Sequence, residues 1–138
     1  NGELHPATPH LSEPFNLPLI GGSLYSTARD SSRFARMVIG KGSLGEVEIL
    51  WKATFKDYSR LHFEGKGYGF GWSLNIKNRK TIELSHTGAL AASRAAFRIN
   101  LKSGIYVVAL YTLTDPSVSA DTGRRLKNAI SAVTSSED

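Results

Sequence analysis

The tripeptide His86-Thr87-Gly88 is the sharpest chemical signal in the chain. An imidazole offers a cation or an N–H donor, a hydroxyl offers a second donor, and a glycine leaves room for a ligand to approach the backbone. A side chain at the glycine would block a ligand lying along a strand. The backbone N–H of Ala89, one residue further on, is placed to help hold an oxyanion. Losing one such donor typically costs about 2.7–4 kcal/mol of transition-state stabilisation. Taken alone, the tripeptide also fits a strand terminus that happens to carry a surface histidine.

Other residue groups read more simply. Tyr68, Phe70 and Trp72 recur at every second position, as core residues of a strand would, although the same spacing suits a stacking platform. His5, His10 and His62 show no metal-ligand spacing with one another or with nearby carboxylates, so no metal site is expected. Ser26 and Thr27 suit the start of a helix. With no cysteine there is neither a disulfide framework nor a thiolate ligand or nucleophile.

The elements that must position these groups are legible in outline. Residues 1–20 hold four of the five prolines (Pro6, Pro9, Pro14 and Pro18) and read as an extended lead-in closed by Gly21-Gly22. Residues 21–138 form the domain. Thr27 with Asp30 approximates a capping box, each side chain serving the other's free backbone donor. Phe34, Ala35, Met37, Val38 and Ile39 then give the stripe of an amphipathic helix, stopped by Gly40 and Gly42. A short helix is expected over Lys52 to Tyr58.

From Tyr68 the period changes to 2. A strand is expected from Tyr68 to Ile76, then a turn at Lys77-Asn78-Arg79-Lys80 and a strand from Thr81 to Ser85 with His86-Thr87-Gly88 at its end. Further strands follow at Ser93 to Asn100 and Ile105 to Leu113, the latter almost wholly apolar, as where both faces are covered. Asp115-Pro116 opens a last helix, with Leu126, Ala129, Ile130 and Val133 on its inward stripe. The fold class is α+β, an antiparallel β-sheet flanked by helices.

The 138 residues suffice for one domain, and a hydrophobic share of 41% excludes disorder as the global state. The formal charge of +5 permits an anionic partner. However, Arg29, Arg33 and Arg36, then Lys77, Arg79 and Lys80, then Arg124, Arg125 and Lys127 are small scattered groups. They suit solvated faces better than a nucleic-acid footprint. No apolar run approaches the roughly 18–20 residues that cross a bilayer, and the chain opens on Asn1 without a signal peptide. That start is the one expected of a piece of a longer protein.

The order of motifs adds a resemblance. Gly21-Gly22-Ser23-Leu24-Tyr25-Ser26-Thr27-Ala28-Arg29-Asp30 with Arg33-Phe34, then Tyr68-Gly69-Phe70-Gly71-Trp72, then His86-Thr87-Gly88 and a strand pair follow one another. From about Gly21 to the end this resembles the C-terminal part of the serine β-lactamase/penicillin-binding-protein superfamily, in its class C β-lactamase and D,D-peptidase-like branch. The resemblance implies a C-terminal section of a β-lactamase/transpeptidase-like fold, with acyl transfer through a Ser-x-x-Lys nucleophile and a Tyr-x-Asn second motif. It implies no cofactor, a small-molecule or peptide substrate for the parent protein, and favours a periplasmic or extracellular setting.

By the same resemblance His86-Thr87-Gly88 is the third motif. His86 occupies the position where lysine is usual in true β-lactamases, Thr87 contacts the substrate carboxylate or carbonyl, Gly88 permits the approach, and Ala89 supplies an oxyanion-hole N–H. No serine here has a lysine three positions on, and no tyrosine has an asparagine two positions on. The chain departs from many relatives at Ala89-Leu90-Ala91-Ala92, where a second glycine and a glycine-containing turn are common. Two readings result: the C-terminal part of a serine hydrolase, inactive by itself, or a non-catalytic binding module of the same fold. Separated from N-terminal strands, Ile105 to Leu113 is expected to pair with the missing part of the parent or with a second copy.

Overall fold

The structure, a computed structural model, describes residues 24–63, 65–90, 93–112 and 116–135. The expected lead-in at 1–20, Gly21-Gly22, the Ala91-Ala92 turn, Leu113 and the capping Asp115 lie outside these residues. Three helices and six strands appear in the order α1 (Ala28–Ile39), β1 (Ser43–Leu44), β2 (Val47–Glu48), α2 (Lys52–Tyr58), β3 (Ser73–Lys77), β4 (Lys80–Leu90), β5 (Ser93–Asn100), β6 (Tyr106–Thr112) and α3 (Pro116–Ser135). Strands β3-β4-β5-β6 form one antiparallel sheet in sequence order, and β1-β2 form a separate small hairpin.

Helix α1 begins as its sequence dictates, with one difference. The Thr27 hydroxyl oxygen accepts from the Asp30 backbone N–H at 3.1 Å. The return bond of a capping box is replaced: Thr27 Oγ1 donates to the Asp30 carboxylate at 2.9 Å, so the two side chains lock each other. At the other end the chain reverses at Lys41 and Gly42, with φ of 54° and 105°. Gly40 has an ordinary φ, but a Cβ there would strike the Ser43 carbonyl oxygen. Its requirement is room rather than handedness.

Two layers of helix enclose the sheet. Phe97 meets Phe34 of α1, whereas its neighbour Arg98 donates to Ser131 of α3 at 2.6 Å. Successive side chains on a strand point to opposite faces, so α1 and α3 cover opposite sides. The α1 side holds the main core: Ala35, Met37, Val38, Phe55, Trp72, Leu84 and Ile99. On the α3 side Arg98 also reaches Glu83 across the β4–β5 pair at 2.7 Å, in a half-buried ion pair that ties two strands to the helix. Helix α3 starts at Pro116 as expected, but Ile130 alone of its expected stripe is buried; Val133 is 53% exposed and Ala129 is also exposed.

The region before β3 corrects the sequence reading. Tyr68 to Trp72 is not a continuous strand; the regular strand begins at Ser73. Gly67 and Gly71 take φ of 59° and 77°, values that break the pleat, and Gly69 N–H donates to the Trp72 carbonyl at 2.8 Å to close a turn. Trp72 therefore enters the core, while Tyr68 and Phe70 stay exposed rather than joining it.

The β3–β4 hairpin turns at Asn78 and Arg79, both with positive φ, as a two-residue turn between twisted strands requires. Nearby, Asn75 and Ile76 of β3 face Glu83 and Thr81 of β4, so Ile82 is an extra residue, a β-bulge. The last strand, β6, lies at the edge of the four-stranded sheet as expected of a strand without its N-terminal partners, but its faces are not both covered: it is half-buried along most of its length and 40% exposed at Leu110. Its apolar composition does not signal burial on every side.

Leu84 and Ile99 are fully buried partners in the β4–β5 register and anchor the sheet beneath α1. Leu84→Ala is expected to lower the unfolding free energy by about 2–5 kcal/mol in a urea titration.

Candidate functional site

Strand β4 is longer than the sequence suggested, and this changes where the tripeptide sits. His86-Thr87-Gly88 lies within the strand rather than at its end, because β5 continues to pair with β4 as far as Leu90. Strand β3 stops earlier: its last partner is Ser73, opposite Ser85. Residues 86–90 are thus paired on the β5 side, and among the described residues no strand pairs with their other edge.

The hydrogen-bond alternation settles which groups face that open edge. Leu101 N–H donates to the Ile82 carbonyl at 2.8 Å, so the even-numbered residues of β4 bond to β5. The odd-numbered residues turn their backbone groups the other way. Leu74 and Trp72, whose backbone groups bond to Gly67 and Gly69 rather than to β4, confirm that phase on the β3 side. The N–H and C=O of Thr87 and Ala89 accordingly point to the open edge.

Side chains alternate across the same rim. His86 is exposed on the α1 side, in register with Phe97. Thr87 is exposed on the α3 side, and Ala89 is exposed as well. Gly88 pairs with Ala95, and a Cβ at Gly88 would come to an ordinary 3.6 Å from the Ala95 Cβ. Sheet packing therefore does not require glycine there. What a side chain would obstruct is access from outside.

Tyr68, which the period-2 pattern placed in the core, stands beside His86 instead. Its Oη lies 3.2 Å from His86 Nδ1, and the two rings are 6.5 Å apart. The signal for this was the glycines on both sides of the tyrosine, which favour a looping backbone over a strand. Behind His86 the rings of Phe34, Trp72 and Phe97 pack together at centroid distances of 6.2–6.4 Å, with Phe34 and Trp72 nearly parallel. Phe34 remains 41% exposed and packs on Phe97, the register partner of His86.

The remaining candidates fall elsewhere. Thr27 caps α1, and Ser26 Oγ bonds to the Thr27 carbonyl. His62 Nε2 lies 2.7 Å from the Asp57 carbonyl oxygen, and its ring packs on Phe70 at 4.0 Å; His5 and His10 lie outside the described residues. Among the described residues no three His, Asp or Glu side chains gather as metal ligands, and no helix is long and apolar enough to cross a membrane. A hollow of about 440 Å³ opens at the end of α1, between Arg36, Gly40, Leu44 and Tyr106. It does not include the tripeptide.

A sheet with an open-edged strand that bears exposed His86 and Thr87 beside a bare Gly88, with helices on both sides, defines an α+β domain. The Beta-lactamase family profile matches residues 3–131, nearly the whole chain. The chain belongs to that family, within the serine β-lactamase/penicillin-binding-protein superfamily. No curated protein and no solved structure matches it.

Trp72 supports the rim from behind, edge-on to Tyr58 at 6.2 Å. Its Nε1 is buried, with no partner in hydrogen-bond geometry among the described residues. Burial lifts the Tyr58 phenol above its ordinary 10.0, and the indole N–H, which falls short of good bonding geometry, offsets part of that rise. The folded chain therefore holds this proton more tightly than the unfolded chain does. Stability from this source is full below pH 10 and is lost as pH rises through the higher folded value. Tyr58→Phe is expected to flatten the alkaline limb of a plot of denaturation midpoint against pH.

Proposed function

We propose that this chain is the C-terminal section of a serine hydrolase that cleaves an amide or ester through an acyl-serine intermediate. The observation that carries the reading is the open edge of β4, where the backbone of Thr87 and Ala89 faces outward beside exposed His86. A substrate lying along that edge would gain strand-like hydrogen bonds, with Gly88 leaving space for its approach.

In the reaction a serine hydroxyl attacks the carbonyl carbon, its proton passing to a neighbouring base. The carbonyl oxygen becomes an oxyanion, which the Ala89 N–H stabilises. Collapse expels the amine or alcohol with a proton and leaves an ester to the serine. Water then attacks that ester, releasing the acid and restoring the hydroxyl. His86 and Thr87 anchor and polarise the substrate; neither makes the attack. The 138 residues contain no Ser-x-x-Lys sequence; on the reading proposed here, the attacking serine comes from another part of the parent. The departure at Ala89-Leu90-Ala91-Ala92 favours a second reading, a binding module of the same fold, and the upstream sequence discriminates between the two.

A gene product that extends upstream and carries Ser-x-x-Lys is expected to turn over a chromogenic cephalosporin or an activated aryl ester. His86→Ala should lower its kcat/KM by about 10²-fold. The 138-residue chain should turn over neither substrate; turnover by it that is lost in His86→Ala would overturn the division of labour.

The free edge of β6 carries the partner side of the same proposal. Its outer backbone groups, which no strand pairs among the described residues, lie beside exposed Leu110 and suit strand addition, by the rest of the parent or by a second copy. The chain alone at micromolar concentration should sediment as a dimer, and a stable monomer would count against self-pairing.

A further inference from the structure

We infer that Tyr68 is a positioning residue that holds the His86 imidazole in its Nε2–H tautomer, so that the rim presents an N–H donor to a substrate oxygen. This rests on the reading of the β4 rim as the substrate-facing edge of a hydrolase.

The geometry restricts the imidazole from one side. Tyr68 Oη sits 3.2 Å from His86 Nδ1, and among the described residues this is the ring's one hydrogen bond. Tyr68 itself is fixed by its backbone, which bridges to Phe63 on one strand-like stretch and to Ser73, the first residue of β3, on the other. On either side, Gly67 and Gly71 take positive φ and the Gly69 N–H donates to the Trp72 carbonyl, so the phenol is carried on a tight, hydrogen-bonded loop.

A phenol O–H is a strong donor, and the unprotonated nitrogen of an imidazole is a strong acceptor. In the arrangement we infer, Tyr68 donates to Nδ1 across the 3.2 Å contact, which leaves that nitrogen bare and puts the proton on Nε2. Nε2 lies across the ring from the tyrosine and makes no hydrogen bond among the described residues. In the exposed ring it is the atom left to meet a ligand. A carbonyl or carboxylate oxygen can accept from it; a group that needs its proton removed gains nothing from it. The pair thus assigns His86 to polarising and anchoring rather than to base catalysis.

Imidazole ¹⁵N NMR of the 138-residue chain, read on the uncharged ring, tests this directly. The wild-type chain should show a bare Nδ1 and a protonated Nε2, with widely separated shifts. In Tyr68→Phe the separation should narrow as both tautomers become populated, while the thermal midpoint stays close to wild type because the ring and backbone bridges remain. A protonated Nδ1 in wild type, or an unchanged pattern in Tyr68→Phe, would overturn the proposal. If the variant fails to fold, the wild-type pattern decides alone. A correct tautomer together with an upstream-extended protein that hydrolyses nothing would leave the positioning role standing and remove the hydrolase reading.

Discussion

The difference in length between two neighbouring strands governs everything at the rim. Strand β3 has five residues and β4 has eleven, so β4 outruns its partner on one side while β5 accompanies it on the other. A β-strand commits alternate residues to alternate edges. Where the partner ends, every second residue is left with an N–H and a C=O and no neighbour. In water such groups are solvated at little cost, but to an extended ligand they are a row of aligned donors and acceptors. Thr87 and Ala89 hold these positions by parity alone.

What keeps that rim in place lies behind it. Leu84 and Ile99 pin β4 to β5, and the aromatic group of Phe34, Trp72 and Phe97 fills the space between α1 and the sheet. The opposite face is held differently, by the Glu83–Arg98–Ser131 chain of polar contacts. A half-buried ion pair of this kind contributes little net stability against an apolar alternative, but it fixes alignment. One face supplies cohesion and the other supplies register, and His86 and Thr87 emerge on either side of the same strand.

Much of this was legible in the residues themselves. The Thr27–Asp30 spacing marked the start of α1, Lys52 to Tyr58 formed the second helix, Ser93 to Asn100 formed β5, and the turn at Asn78-Arg79 fell where basic and amide residues interrupt the alternation. The tripeptide His86-Thr87-Gly88 was visible as chemistry, and the motif order pointed to the family. Three features were hidden. Tyr68 to Ile76 alternates like a strand, yet its glycines adopt conformations that alternation cannot report. The reach of β4 past Ser85 depends on pairing with β5, the next strand of the hairpin, which the run Ala89-Leu90-Ala91-Ala92 does not announce. The partial exposure of β6 was hidden as well, because an apolar run reads the same whether its faces are covered or, as at Leu110, left open.

The bulge at Ile82 has a consequence for how such a chain tolerates change. An extra residue in β4 at that point shifts the pleat by one between the hairpin tip and the rim. The tip and the rim are therefore out of step with each other, and the slip is taken up in a single residue whose carbonyl is still held by Leu101. The hairpin tip and the rim can thus keep different phases of the pleat, while the imidazole holds its side of the sheet.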